Sequence, residues 1–197
     1  MPFETPVLFI IFNRPDTTAQ LFSRIQRVQP ARLYIAADGA RDSRPDESRL
    51  CAETRAIATA VDWPCQIFTL FRDKNLGCKE AVSGALDWFF QQEEEGIVLE
   101  DDCLPSLDFF PFCQTLLAHH RNSAHVRHIS GCNFQGGITR GDASYYYSHL
   151  THVWGWASWR RVWKDYDKHL AGYSEDEIFT RIETLFGDPL FAASWLE

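Results

Sequence analysis

The densest chemistry in the chain lies in Ile97-Val98-Leu99-Glu100-Asp101-Asp102-Cys103, an apolar run that ends in three consecutive acids. A buried strand delivering three carboxylates to one point is costly unless something positive neutralises them. Hard oxygen ligands of this kind suit Mg2+ or Mn2+, and Mg2+ is commonly held by one or two carboxylates together with substrate phosphates. If extended geometry continued through the acids, Glu100 and Asp102 would share one face and Asp101 the other. One or two would meet the ion while another held a ribose hydroxyl. The chemistry this supports is departure of a nucleoside diphosphate from a sugar, with the metal stabilising charge on the leaving oxygens.

The elements that must position these acids alternate between strand and helix. Pro6–Phe12 is a continuous apolar run of strand length, as expected of a strand buried on both faces. Asn13-Arg14-Pro15 breaks it, and Asp16 is placed to cap a helix carrying Leu21, Phe22, Ile25 and Val28. Arg32–Gly39 reads as a second strand, and a polar loop then leads to a helix over Ala52–Val61. Cys65–Asp73 is a third strand. A turn at Lys74–Gly77 opens a helix with Ala81, Val82, Ala85, Leu86, Phe89 and Phe90 at helical spacing. The strand ending in the acids is the fourth.

This alternation predicts βαβ units, an α/β fold with a mainly parallel sheet flanked by helices. Ligands of such sheets sit at the carboxyl ends of the strands. Asn13-Arg14, Asp38, Arg72-Asp73 and Glu100–Asp102 are therefore expected along one edge. Further on, a helix is expected in Leu107–Arg121, strands in Val126–Gly131 and Ser144–His149, and two helical stretches before the end.

The order of "PVLFIIFNRP", "AADG", "NLGCKEAVSGALDWFF", "VLEDDCLPSLDFF", "ISGCN" and "WGW" resembles the GT-A (Rossmann-like) nucleotide-sugar glycosyltransferases, nearest to the N-acetylglucosaminyltransferase I-like group and its bacterial relatives. The likeness runs over roughly residues 5 to 170. It implies a metal-dependent, inverting transfer of a hexosyl or N-acetylhexosaminyl unit from a UDP-sugar to a glycan acceptor in bacterial surface-glycan synthesis. By this resemblance Asp102 is the ligand of Mn2+ or Mg2+, with Glu100 and Asp101 near ribose and sugar. It further implies that Arg14 contacts the nucleotide, that Asp38 bonds uracil or ribose, and that Lys79 reaches the diphosphate. Asn133, Trp154, Gly155 and Trp156 would line the sugar or acceptor side. Bland alternatives stand beside these: Asp38-Gly39 as a turn, Asn133 as a turn residue, and each tryptophan as core.

No general base is assigned, because Asp165, Asp167, Glu175, Asp176 and Glu177 match no clear pattern. Two rivals remain. A sugar nucleotidyltransferase would share the sheet and metal but should carry a glycine-rich phosphate loop after the first strand, and "FNRPDTT" is not one. A catalytically degenerate sugar-nucleotide-binding domain is the other.

With 197 residues the chain suits one domain, a nucleotide-binding half over about 1–105 and an incomplete acceptor-side region over about 106–197. A formal charge of −8 argues against a nucleic-acid partner but not against a nucleotide whose metal brings positive charge. No apolar run approaches the roughly 20 residues that span a bilayer, and the start lacks a basic leader. A cytoplasmic protein is expected, peripheral to the inner face of the membrane at most. Six scattered cysteines without a CxxC pair read as reduced thiols, and the histidines, His149 and His152 included, match no metal spacing.

Overall fold

The computed structural model describes residues 3–139 and 141–194. The elements in chain order are β1 (Val7–Ile11), α1 (Pro15–Val28), β2 (Arg32–Ala37), α2 (Glu47–Ala58), β3 (Gln66–Phe71), α3 (Cys78–Gln92), β4 (Glu95–Glu100), α4 (Phe109–His120), β5 (Ile129–Ser130), β6 (Trp156–Trp159), α5 (Arg160–Trp163), α6 (Glu175–Phe186) and α7 (Pro189–Ser194). The six strands form one sheet in the order β3-β2-β1-β4-β6-β5. The first four are parallel, and β6 runs antiparallel to both of its neighbours. The expected α/β architecture is the one observed.

Burial follows position in the sheet. In the middle, Val7, Leu8 and Phe9 of β1 and Ile97 and Leu99 of β4 are fully buried, so both faces must be apolar. β3 lies at the edge and leaves Ile67 and Phe71 exposed. One face packs Leu8, Tyr34, Ala36 and Val98 beneath Ala85, Leu86, Phe89 and Phe90 of α3, with Trp156 in the same cluster. On α1, Thr18, Leu21, Phe22 and Ile25 form the buried stripe. Residues 18, 21, 22 and 25 lie three to four apart, the spacing of one helix face. Gly96 has no room for a side chain: a Cβ there would come within 2.3 Å of the Phe89 ring.

Several local expectations are corrected. The first helix starts at Pro15 with Arg14 as its cap residue, and no side chain caps it. Asp16 therefore sits inside the first turn, where an acid still favours the helix dipole. The second helix begins at Glu47, five residues before the expected start, because Glu47 makes tertiary contacts that the polar composition of its segment concealed. The stretch Ser144–His149 forms no strand.

Two compact units divide the chain. One comprises Met1–Asp142 and Thr151–Asp165 and holds the whole sheet; the other comprises Ala143–Leu150 and Tyr166–Glu197. Within the second unit α6 opens on a capping box: the Ser174 hydroxyl accepts from Glu177 N while the Glu177 carboxylate accepts from Ser174 N. Trp195 lies outside the described residues. Among those described, no helix is long and apolar enough to cross a membrane.

Candidate functional site at the carboxyl edge of the sheet

β1 is the strand at which the chain reverses its direction of growth across the sheet. From β1 it proceeds to β2 and β3 on one side, and then crosses to β4 on the other. The crevice beyond the carboxyl ends of β1 and β4 is thus a topological switch point, where open α/β sheets bind ligands. Ile10 pairs with Glu100, so the tip of β1 faces the start of the acids. Phe12, Asn13 and Arg14 follow one strand, and Asp101 and Asp102 the other.

Extended geometry does not persist through the acids. Asp101 and Asp102 occupy a tight turn closed by Cys103 N donating to Glu100 O at 2.9 Å. The turn swings Asp101 toward β1, where its Oδ2 accepts from Phe12 N at 3.1 Å. Its Oδ1 accepts from Arg14 Nη1 at 3.1 Å, and the same nitrogen donates to Asp102 Oδ2 at 3.1 Å. Asp101 is buried, whereas the Asp102 side chain is about half exposed, at 48%. The picture of an unneutralised acid pocket is therefore corrected: Arg14, 88 residues away in sequence from Asp102, already lies against two of the three acids.

Glu100 differs. Its carboxyl makes no ion pair or hydrogen bond among the described residues. Burial, helped by the charges of Asp102 and Asp101, pushes its pKa upward, and Arg14 only partly offsets this. Asp101 is also shifted upward, chiefly by burial, against the pull of Arg14 and the Phe12 N–H. Arg14 is held more firmly protonated by Asp101, with a smaller contribution from Asp102. Counting Arg14 as +1 and three ionised acids as −3, the turn carries −2.

Asp38, at the end of β2, is buried and does a different job. Its carboxylate accepts from Leu76 N at 3.1 and 3.0 Å and from Gly77 N at 3.2 Å. It thereby pins the loop that launches α3. Gly39 lets that loop pass, since a Cβ there would lie 2.4 Å from the Lys74 backbone. Arg72 is likewise committed, donating to Ala81 O at 3.1 Å. Lys79, in the exposed first turn of α3, makes no ion pair among the described residues. Replacing Asp38 with alanine should cost about 1–3 kcal/mol by orphaning buried N–H groups, lowering Tm by ~3–9 °C. A thermal melt checks it: an unchanged Tm with weakened nucleotide binding would instead assign Asp38 to the ligand.

The antiparallel run of β6 brings its amino end to this same edge. Trp156 pairs with Val98, so Gly155 and Trp154 lie beyond the carboxyl end of β4. Gly155, at φ 76°, adopts the left-handed backbone that glycine tolerates. Its carbonyl accepts from Gly131 N at 2.9 Å, and its backbone hydrogen-bonds the buried thiol of Cys103 beside the acid turn. Burial pushes that thiol up to about 11.

The two flanking tryptophans part company. Trp156 is core, stacked on His128 with ring centroids 5.1 Å apart. Trp154 is 63% exposed, with the Phe134 ring 6.4 Å from its own between centroids. Asn133 serves its own turn, its Oδ1 accepting from Gln135 N at 3.0 Å. Trp159 is buried as the last residue of β6. Trp154→Ala should shift stability by no more than about 0.5 kcal/mol, the ordinary surface effect. A urea melt superimposable on the parent's is the expected result.

Sequence reasoning missed one cluster at this edge. Glu47 Oε1 accepts from Asn13 Nδ2 at 2.9 Å and from Arg41 Nε at 3.1 Å. Glu47 Oε2 accepts from Arg41 N at 2.7 Å, and the Arg41 guanidinium lies 5.5 Å above the Phe12 ring. Pro45-Asp46-Glu47, a proline followed by acids, is a helix-start signal that could have exposed it.

The six cysteines are all unpaired thiols. Among the described residues, no three His, Cys, Asp or Glu side chains converge on a shared ion position.

An open sheet with a parallel β3-β2-β1-β4 core and a polar crevice at its switch point defines an α/β, Rossmann-like fold. Among solved structures, the chain is similar to 4-diphosphocytidyl-2C-methyl-D-erythritol synthase from Anaerococcus prevotii, with 12% identity, a TM-score of 0.50, and coverage of 85% of this chain and 77% of that one. No protein-family model and no curated protein matches the chain.

This likeness, which at such identity concerns the fold, corrects the resemblance to GT-A glycosyltransferases. The matched protein is a nucleotidyltransferase, so the reading as a sugar transferase with a glycan acceptor is withdrawn. The physical reason is that strand–helix alternation with polar strand ends is common to open nucleotide-binding sheets. The quoted motifs report that architecture. They do not report which bond of the nucleotide breaks.

Proposed function

We propose that this chain is a nucleotidyltransferase. A phosphate oxygen of a phosphorylated second substrate attacks the α-phosphorus of a nucleoside triphosphate. A new P–O bond forms, the bond from the α-phosphorus to its bridging oxygen breaks, and pyrophosphate leaves. The observation that carries this reading is Arg14 at the β1–β4 switch point, its guanidinium hydrogen-bonded to Asp101 and Asp102, in a fold similar to that of a diphosphocytidyl-alcohol synthase.

The residues suit a divalent cation that arrives with the triphosphate, and do not cage one alone. A turn carrying −2 repels phosphates, so a nucleotide entering here needs accompanying positive charge. Glu100, with no partner on its carboxyl among the described residues, and the half-exposed Asp102 are the one or two carboxylates such an ion takes, its other ligands being phosphate oxygens. When bound, the ion would offset charge on the leaving pyrophosphate. Arg14 would orient the phosphates, being a rigid donor fork already aimed by Asp101. "FNRPDTT" supplies no glycine-rich cradle, so phosphate recognition falls to Arg14 and, across the edge, to Lys79. Asp38 holds the loop on which Lys79's helix begins. Trp154 offers an exposed ring to the second substrate.

The test is pyrophosphate release from each of the four common nucleoside triphosphates with Mg2+ and a panel of sugar and polyol phosphates. Release with at least one pair supports the reading; neither binding nor release with any triphosphate sinks it. A second reading, nucleotide binding without turnover, is favoured by Arg14 already engaging both aspartates. Saturable binding without pyrophosphate across the panel would select it.

A further inference from the structure

The two aspartates beside Arg14 are not equivalent. Asp101 is buried and doubly engaged, with one oxygen on the Phe12 N–H and the other on Arg14. It cannot leave without orphaning a backbone donor at the tip of β1. Asp102 is half exposed, engages Arg14 through one oxygen at 3.1 Å and, among the described residues, has on the other only the weakly donating Cys103 thiol, at 4.0 Å. Arg14 itself is 56% exposed along its side chain. An exposed ion pair of this sort is worth little, because water solvates both partners once they separate. The Arg14–Asp102 contact is therefore the weak arm of the clamp, and Arg14–Asp101 the fixed one.

We propose that Arg14 is an exchangeable internal counter-ion, keyed to Asp101 and releasable from Asp102, that keeps a divalent cation off the acid turn until a nucleotide arrives. This rests on the nucleotidyltransferase reading for the ligand, but the exchange concerns this chain's own residues. Without nucleotide, the guanidinium occupies one oxygen of Asp102 and repels an incoming cation. With nucleotide, the guanidinium turns its other nitrogens to the phosphates while Asp101 keeps Nη1, and Asp102 is freed for the metal. Cation and nucleotide then bind with positive coupling, each improving the site for the other.

The probe is Mn2+ alone, followed by loss of the free-ion electron paramagnetic resonance signal, with no nucleotide present. Arg14→Gln should bind Mn2+ about two- to fivefold tighter than the parent, the effect of removing one exposed competing charge pair. Arg14→Lys, which keeps the charge on a shorter side chain without the planar guanidinium, should fall between. Adding Asp102→Asn to Arg14→Gln should abolish the gain. Far-ultraviolet circular dichroism confirms folding, and Arg14→Lys carries the test if Arg14→Gln fails to fold. Equal or weaker Mn2+ binding by the folded Arg14 variant overturns the exchange, as does a gain that survives loss of Asp102. Failure of the nucleotidyltransferase reading would show separately, as absence of triphosphate binding to the parent chain.

Discussion

Arg14→Ala is expected to weaken Mg2+-nucleotide binding by about 100-fold, the loss of a charge-assisted phosphate contact. The same change leaves buried Asp101 with the Phe12 N–H as its remaining donor. Stability should therefore fall by about 2–3 kcal/mol, the range for hydrogen bonds to charged groups. Titration calorimetry with each triphosphate and a thermal melt on one preparation read the two effects together. A large Tm loss with unchanged nucleotide affinity would make Arg14 a strut between β1 and β4 and nothing more. Asp101→Asn separates the roles further. It should destabilise by removing the charge that fixes the guanidinium, and its effect on affinity should be smaller than that of Arg14→Ala.

The second large effect belongs to Glu47, which is 4% exposed. Arg41, foremost through its side-chain hydrogen bonds, brings the Glu47 pKa from the ordinary 4.5 down to about 2, against the opposing effect of burial. A carboxylate whose folded pKa is depressed contributes stability that is complete above its unfolded value. That contribution is lost as pH falls through the folded value, here between about 4.5 and 2. Glu47→Gln should cost about 3 kcal/mol at neutral pH, the low end for breaking a buried pair, because half-exposed Arg41 can rehydrate. For a chain of this size Tm should drop by ~6–12 °C. The gap between parent and variant should close as pH approaches 2.

Glu100 and Asp101 work in the opposite direction. Their raised pKa values mean that ionisation costs folded-state stability as pH climbs from the ordinary carboxylate range through the folded value. That cost is present above the window and absent below it. The parent-minus-variant difference cancels it and leaves the Glu47 contribution alone. A gap independent of pH between 6 and 2 would show that Glu47 holds its place by packing and not by charge.

How much of this was readable along the chain depends on how local each signal was. β1, β2, β4 and α3 were legible because continuous apolar runs and a 3.6-residue period report burial directly. The edge position of β3 was not, since its apolar content resembles that of a central strand and only its neighbours in the sheet settle it. Glu100, Asp101 and Asp102 stood out as residues, yet their geometry was misjudged. Sequence suggested a continued pleat, whereas the Cys103–Glu100 bond turns the chain. Trp154 and Trp156 are identical in type and two apart, and nothing local distinguishes the exposed one from the core one.

Composition and periodicity by themselves determined that this chain is an α/β sheet protein with polar strand ends at one edge, because burial and hydrogen-bonding demands act residue by residue. They could not determine which bond the site acts on, since that architecture serves many chemistries. Only the tertiary structure decided the charge state of the edge. It set Arg14 on Asp101 and Asp102 and Arg41 on Glu47, and the first of these pairings spans 87 and 88 residues. Coulomb interactions depend on distance in space, and that distance exists only once β1 and β4 lie side by side.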